Sequence, residues 1–453
     1  MARLRGEGQF ALLESALPMP RQAEWSYIAG PALATLYTGE TSTRLEHEGR
    51  VIASWLDPFD ALAAVATRDI DGVRLDGDCP EGMDFIGGWV GVLGYDLARQ
   101  IEPLAEQAQH DPVLPRQWWM AVDQVLGFHH PSGQWWHATT RDPSGRLPWT
   151  RAGRDAVWEC TLARACGPVP TRGYWRAEAR TLRTSRAEFE CGVQTAREAI
   201  TRGDVLQVNL TRREEAGFAG DAWALYEDLV MAHPAPFAAY IDGPGFAIAS
   251  CSPERFLHRR GDLVEARPIK GTAARGIDES EDSAQRAWLV ASVKDRAENL
   301  MIVDLMRNDL GRVAVTGSVR VPELFALEPY ASVWQMVSTV RAQLHADCGV
   351  AQLLRACWPP GSMTGAPKIK AMQIIETLEP LRRGWYAGSI GYLDCRGNMD
   401  LSVVIRTAIV ADERVMVQFG GGIVADSEPA AEWAETVAKG LRIVDTLNRG
   451  GVV

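Results

Sequence analysis

Lys270 stands in the stretch Glu265-Ala266-Arg267-Pro268-Ile269-Lys270-Gly271-Thr272, between a proline-stiffened apolar approach and a glycine. Pro268 fixes its own φ and biases Arg267 towards extended backbone, while Gly271 permits a tight turn or the close approach of a ligand. A lysine held this way and partly desolvated loses proton affinity and can act as a nucleophile. Taken alone, the string more readily describes a solvated lysine at a strand end. Two acidic pairs are spaced three apart, Asp295 with Glu298 and Glu432 with Glu435, so each pair shares one face of its helix. Oxygen ligands in small number, with no His or Cys beside them, suit Mg²⁺, which keeps several waters. Spacing alone does not separate that reading from a pair of solvated helix faces.

Three further features are written for an anion. Gly420, Gly421 and Gly422 end an apolar strand, where successive backbone N–H groups can form a nest for a carboxylate or phosphate. A plain strand-to-loop transition fits the same glycines. Arg406 interrupts the apolar run Val403-Val404-Ile405-Arg406-Thr407-Ala408, and a guanidinium there calls for a carboxylate from the protein or from a ligand. Lys439, four residues after Glu435, is either a second cation for a diacid or the partner of Glu435. The loop Gly361-Ser362-Met363-Thr364-Gly365-Ala366-Pro367-Lys368 is not a nucleotide loop. It lacks the Gly-Lys-Ser/Thr ending, and Pro367 removes an N–H such a loop needs. Its hydroxyls before a helix still suit an anion.

The elements that must position these residues come in blocks, which favours α+β over strict alternation. Ser185 and Glu188 have capping-box spacing, Phe189, Val193, Ala196 and Ile200 follow at helical intervals, and Gly203 stops the helix. Strand-like runs are expected at 205–211, 237–241, 245–250 and 263–269. A long helix is expected at 283–307, and another after Gly365-Ala366 with Pro367 at its first position. Strands at 388–393, 400–410 and 413–419 then lead to a last helix at 429–448. In the first half, Leu12-Leu13-Glu14-Ser15 and Trp25-Ser26-Tyr27-Ile28 read as two strand fragments. The glycine-rich 85–96 reads as a bulged, closely packed strand and not a dinucleotide fingerprint. The Pro-, Gly-, Arg- and Ser-rich segment from about 140 to 173 is expected to join two halves.

Composition narrows the function classes. The 453 residues are 46% hydrophobic and 23% charged, as in a globular enzyme, with 16 Trp as the main departure. A net charge of −11 without a segregated basic patch argues against nucleic acid or an anionic membrane surface as partner. No apolar run reaches the roughly 20 residues of a membrane span, and a cytoplasmic location is expected. Eight scattered cysteines without a Cys-x-x-Cys pair argue against a zinc site or disulfide framework. Eight histidines without a His-x-x-x-His pair argue against a zinc hydrolase.

The motifs ARPIKGTAARG, ENLMIVDLMRNDLGRV, GSMTGAPKIKAMQIIETLEP, GYLDCRGNMD, VVIRTA and FGGGIVADSEPAAEWAETVAKG, in this order, resemble the chorismate-utilising enzymes. That family includes component I of anthranilate synthase and of aminodeoxychorismate synthase, with isochorismate and salicylate synthases. The likeness is dense from about 185 to 445 and thinner before. It implies an α+β sandwich of two large antiparallel sheets with outer helices, an N-terminal region at 1–173 and a chorismate-binding catalytic domain at 174–453.

Within the family, Lys270 falls where aminodeoxychorismate synthases carry a lysine and anthranilate synthases an alanine. Gln207 falls where the water-using members carry a lysine, and Asn209 also matches the aminodeoxychorismate pattern. The resemblance therefore implies component I of aminodeoxychorismate synthase, which makes 4-amino-4-deoxychorismate on the route to 4-aminobenzoate and folate. Lys270 would form a covalent adduct and Glu254 would supply a proton. Mg²⁺ would bind Glu298 and Glu435, supported through water by Asp295 and Glu432. Gln207, Thr272, Gln335, Thr364, Tyr392, Arg406, Gly420, Gly421, Gly422 and Lys439 would meet substrate, with Tyr392 and Arg406 on the enolpyruvyl carboxylate. Gln335 departs from the usual histidine, and glutamine hydrogen-bonds but does not shuttle a proton.

No Gly-x-Cys-x-Gly nucleophile elbow occurs, so a separate glutamine amidotransferase or free ammonia is expected to supply nitrogen. No appended lyase is expected after the last helix. The alternatives are anthranilate synthase component I, favoured by the LLES string, and a catalytically impaired chorismate-binding protein, to which Gln335 points. Leu13, Glu14 and Ser15 with Trp25 also suggest a pocket for an amino acid such as tryptophan, though strand packing accounts for the same residues.

Overall fold

The computed structural model describes residues 8–66, 79–140, 170–330 and 333–450, together with Leu4, Ala163 and Cys166. Two antiparallel sheets face one another. The first runs, edge to edge, through Trp175–Ala177, Gln207–Gly220, Arg414–Ile423, Thr407–Ala411, Phe246–Ser252, Phe237–Gly243, Ala11–Glu14, Trp25–Ala29, Gln124–His129 and Gln134–Thr139. The second runs through Ile269–Ala274, Val333–Gln343, Leu263–Ala266, Arg255–Arg260, Met399–Val403, Ser389–Asp394, Gly88–Leu93, Gln117–Val122, Ala34–Thr38, Thr43–His47 and Arg50–Trp55. Both sheets draw strands from both sides of residue 173. The joining segment expected from about 140 to 173 lies largely outside the described residues.

Alternating side chains give each sheet two apolar faces, and each face finds a cover. Ile248, Ile409 and Met416 of the first sheet pack against Val90, Val92 and Ile390 of the second to form the core between them. Helices Ala222–Ala232 and Pro429–Arg449 cover the outer face of the first sheet, with Trp223, Leu225, Ile443 and Leu447 in contact with its strands. Helices Pro58–Val65, Val293–Gly311 and Val350–Cys357 cover the outer face of the second, through Phe59, Ile302, Met306 and Leu354. The expected α+β sandwich with outer helices is what the chain forms.

The capping box closes as its spacing predicts: Glu188 N–H donates to Ser185 Oγ at 3.2 Å and Ser185 N–H to Glu188 Oε2 at 2.7 Å. The helix that follows spans Arg186–Thr201. The glycine-rich strand Gly88–Leu93 is closely packed, since a Cβ on Gly91 would stand 2.1 Å from the Trp118 carbonyl. It carries no bulge, and its ladder runs in unbroken register.

Five expected elements differ. The strand expected at 263–269 is two, Leu263–Ala266 and Ile269–Ala274, and Pro367 is the N-cap of helix Lys368–Leu378 instead of its first residue. The long helix at 283–307 is two helices, Glu279–Ala291 and Val293–Gly311, broken where Ser292 adopts extended ψ and its Oγ caps Asp295 N–H at 3.3 Å. The strand expected to end near 211 continues to Gly220. The strand expected at 400–410 is two strands that belong to different sheets, with Arg406 at φ 53° between them.

Candidate active site

The chain crosses between the sheets twice at neighbouring points, and both crossings deliver a functional side chain. At Pro253-Glu254 it leaves Phe246–Ser252 of the first sheet for Arg255–Arg260 of the second. At Val404-Ile405-Arg406 it returns from Met399–Val403 to Thr407–Ala411. The crossings are tied together: Val403 N–H donates to the Glu254 carbonyl at 2.9 Å and Cys251 N–H to the Arg406 carbonyl at 3.1 Å. Glu254 and Arg406 therefore face one cleft of about 520 Å³ between the sheets.

Lys270 enters that cleft from Ile269–Ala274. The ladder with Val333–Gln343 loses register between Ile269 and Thr272, so Lys270 and Gly271 form a bulge, with Gly271 at φ 92°. Asn299 holds the bulge from behind, donating to the Lys270 carbonyl at 3.5 Å and the Met336 carbonyl at 3.2 Å. Lys270 Nζ lies 3.4 Å from the Ser362 carbonyl. Burial pulls its ammonium below the ordinary lysine range, aided by the Lys439 charge and opposed by Glu298, Glu254 and Glu435. Burial pushes the Glu254 carboxyl up to about 7, against the Ser362 hydroxyl, the Lys270 charge and the Ile269 N–H. The raised Glu254 carboxyl and the lowered Lys270 ammonium are shifted in the directions that an acid and a nucleophile require.

The anion-facing wall differs from the expected nest. The glycines lie within strand Arg414–Ile423, which pairs on one side with Gln207–Gly220 and on the other only as far as Val417. Beyond Val417 one strand edge faces the cleft, and Lys439 Nζ donates there to the Gly420 carbonyl at 3.0 Å. A strand residue directs its N–H and C=O to the same edge, so Gly420 and Gly422 turn their N–H groups to the cleft while Gly421 bonds into the ladder. Three successive donors become two alternate ones. Among the described residues no carboxylate pairs with Arg406. Burial pulls it down to about 10, and the Arg442 charge adds to that while Tyr386 opposes it.

Asp295, Glu298 and Glu435 line the cleft, and Glu432 stands just behind Gly421. These acids suit a hard cation: every donor is oxygen, and Glu432 Oε2 is buried with no hydrogen-bond partner among the described residues. A Cβ on Gly421 would stand 3.1 Å from Glu432 Oε2 and 3.6 Å from Glu435 Oε1, so glycine keeps that space open. Burial raises the carboxyl groups of Glu298 and Glu432, with neighbouring carboxylates adding to it. For Glu435 burial also works upward, but Lys439 at 2.5 Å overrides it and the net direction is down. Among the described residues no three of His, Cys, Asp and Glu gather closely enough to hold a metal alone. An ion here would complete its shell with water and a ligand oxygen.

Of the residues singled out from the sequence, Lys270, Glu254, Thr272, Gln335, Arg406, Gly420, Gly422, Lys439, Asp295, Glu298 and Glu435 line the cleft. Gln207 is buried behind Gly422, where a Cβ would stand 1.9 Å from its Nε2. Thr364 is fully buried and its hydroxyl donates to the Gly361 carbonyl at 3.1 Å, so Ser362 and not Thr364 reaches the cleft from that loop. Tyr392 is misplaced by the sequence reading. It stacks on Phe85 at 4.6 Å and lines a second cavity, while Tyr386 lines the cleft with Arg406. Tyr386 follows Gly384-Trp385 in a turn that carries no strand pattern, and only its proximity to the GYLDCRGNMD motif flags it. The second cavity, about 530 Å³, gathers Leu13, Glu14, Ser15 and Trp25 with Arg255 and Asp400. Ser15 Oγ donates to the Trp25 carbonyl at 2.7 Å, and Glu14 Oε2 accepts the Tyr226 hydroxyl at 2.6 Å.

The family model of chorismate binding enzymes matches residues 15–445, and the chain belongs to that family. The aminodeoxychorismate synthase component 1 of Klebsiella aerogenes is 41% identical over 96% of this chain and 93% of its own length. That of Escherichia coli K12 is 39% identical over 97% and 93%. Anthranilate synthase component I from Streptococcus pneumoniae TIGR4 superposes with a TM-score of 0.80 at 29% identity, covering 94% of this chain and 93% of that one.

Proposed function

We propose that the chain is component I of a cytoplasmic aminodeoxychorismate synthase, which converts chorismate and ammonia to 4-amino-4-deoxychorismate and retains the pyruvyl group. The carrying observation is Lys270 on its bulge beside Glu254, with a lysine where the resemblance puts alanine in ortho-aminating relatives. The names of the two relatives support the same reading. A separate amidotransferase subunit supplies ammonia from glutamine, and the product leads to 4-aminobenzoate and folate.

The chemistry follows from the residues that face one another. The Lys270 amine attacks C2, the ring electrons shift, and the C4–O bond breaks as Glu254 gives its proton to the departing hydroxyl, which leaves as water. Ammonia then adds at C4, the electrons return, and the C2–N bond breaks to release Lys270 as the free amine. The new ammonium group gives a proton back to Glu254. Arg406 and Tyr386 hold the enolpyruvyl carboxylate, and Lys439 with the N–H groups of Gly420 and Gly422 serves the ring carboxylate. Magnesium would be held by Glu298 and Glu435 with Asp295 and Glu432 in support, and would supply positive charge for that carboxylate. Gln335, paired with Thr272 across the ladder, donates a hydrogen bond in place of a histidine.

Product identification tests the proposal. With chorismate, Mg²⁺ and ammonium, the protein is expected to yield 4-aminobenzoate only after an aminodeoxychorismate lyase is added. Fluorescent anthranilate without a lyase would overturn it in favour of ortho-amination, and absence of any turnover with ammonia and amidotransferase would favour the impaired binding protein. The cavity at Leu13, Glu14, Ser15 and Trp25 is proposed to take a free amino acid such as tryptophan, with Arg255 and Asp400 as charged groups on its wall. Calorimetry on protein freed of co-purified ligand tests this, and a flat titration rejects an exchangeable ligand.

A further inference from the structure

A smaller cavity of about 170 Å³ adjoins the cleft and shares with it Thr272, Gln335, Arg406 and Lys439. Its outer wall is the start of the Pro234 turn and the outward side of the last helix, at Leu441 and Arg442. Its charge is one-sided. Arg406, Lys439 and Arg442 line it, and no Asp or Glu does among the described residues. The main cleft, by contrast, balances Lys270, Lys294, Arg406 and Lys439 against Glu254, Asp295, Glu298 and Glu435.

Each cation has a different degree of satisfaction. Lys439 is paired with Glu435 at 2.5 Å. Arg442 Nη1 donates to the Ala232 carbonyl at 3.0 Å, at the end of helix Ala222–Ala232, and no carboxylate pairs with Arg442 among the described residues. Arg406 has no carboxylate partner among the described residues. Arg442 and Arg406 are near enough to feel each other, and both act on His233. Burial first, then those two charges, pulls the His233 imidazole down to about 4, so it adds no positive charge at neutral pH. Holding like charges together around a solvent-connected space costs stability unless an anion visits.

We infer that this cavity is an antechamber for dicarboxylate substrate, and that Arg442 is a steering residue that draws the anion towards Arg406 without touching it during reaction. The inference rests on the proposed use of chorismate but not on which amine is formed, because chorismate is a dianion in either case. A net-negative protein of −11 gains most from a local positive mouth, since the mean field repels the substrate.

The test is the salt dependence of steady-state kinetics with the full chain, chorismate, Mg²⁺ and ammonium. Arg442→Gln is expected to lower kcat/KM about fivefold at low ionic strength, to leave kcat within about twofold, and to converge on wild type as salt screens the field. Arg442→Lys is expected to keep wild-type behaviour. Leu441→Glu, on the same wall and 52% exposed, provides the second variant and is expected to lower kcat/KM in the same salt-dependent way. A kcat/KM for Arg442→Gln and Leu441→Glu equal to wild type at low salt, or a loss independent of salt, overturns the inference. Anthranilate as product overturns the proposed function and leaves the salt comparison intact. Absence of any chorismate turnover by wild type overturns both.

Discussion

Lys270 and Glu254 arrive at one cleft by unrelated routes, a bulge in an edge strand and a crossing between sheets, and each favours the charged form of the other against burial. With Glu254 raised to about 7, its proton is held below that pH and lost above it. An acid that must give a proton is competent on the low side, so kcat/KM is expected to fall as pH rises through about 7. Because each charge acts on the other group, the limb reports on the pair. Glu254→Gln is expected to lower kcat by about 10²–10⁴-fold and to remove that limb from the residual activity. A pH profile that keeps the limb in Glu254→Gln assigns the proton elsewhere.

Covalent capture gives the second prediction. Intact-mass spectrometry of enzyme quenched during turnover, with ammonia withheld, is expected to find the chain heavier by chorismate less one water. Peptide mapping should place that mass on Lys270. Lys270→Ala should show no adduct and lose roughly three orders of magnitude in kcat. An adduct on another side chain, or full activity in Lys270→Ala, removes the nucleophilic role.

Much of this was legible in the sequence, and the parts that were not have physical reasons. The capping box, the Gly271 turn and the acidic pairs declare themselves locally, because their chemistry needs neighbours three or four residues away. The strand beyond residue 211 did not, because Arg212-Arg213-Glu214-Glu215 reads as solvated charge. In the fold all four are buried: Arg213 pairs with Glu215 at 2.8 Å, Arg212 with Glu214, and Arg183 reaches Glu215 at 2.9 Å. Mutual neutralisation is a tertiary fact that no hydropathy pattern contains. The split at Arg406 escaped too, since the sequence shows one apolar run with a charge in it and only strand pairing places its two ends in different sheets. The glycine run announced close approach but not direction, and only strand pairing shows that alternate N–H groups face the cleft.

Tyr386 and Tyr392 supply a paired prediction. Both are buried, and burial raises both phenols, but only Tyr386 faces the cleft with Arg406. Tyr386→Phe removes the hydroxyl proposed to meet the enolpyruvyl carboxylate and is expected to lower kcat/KM about tenfold. Tyr392→Phe is expected to leave kinetics within about twofold, because its ring, stacked on Phe85 and edge-on to Tyr27, lines the second cavity and not the cleft. Steady-state kinetics of the two variants side by side decide the assignment, and a larger effect at Tyr392 reverses it.

The space over Gly421 gives the last prediction. A methyl group there would stand 3.1 Å from Glu432 Oε2, which must give by a few tenths of an ångström, and 3.6 Å from Glu435 Oε1, an ordinary contact. Gly421 bonds into the ladder through its backbone, and its conformation lies outside the left-handed region, so alanine adds bulk without backbone strain. Gly421→Ala is therefore expected to keep the fold, with a thermal midpoint within a few degrees of wild type. It should weaken magnesium binding, measured by calorimetry in the presence of chorismate, by about tenfold or more. Glu432→Gln tests the same space from the other side. It keeps the size of the side chain and its contact with Ser427, but replaces one carboxylate oxygen with a hydrogen-bond donor. If Gly421→Ala and Glu432→Gln both bind magnesium as wild type does, the acids behind the glycine strand do not hold the ion, and Glu298 with Asp295 must do so from the opposite helix.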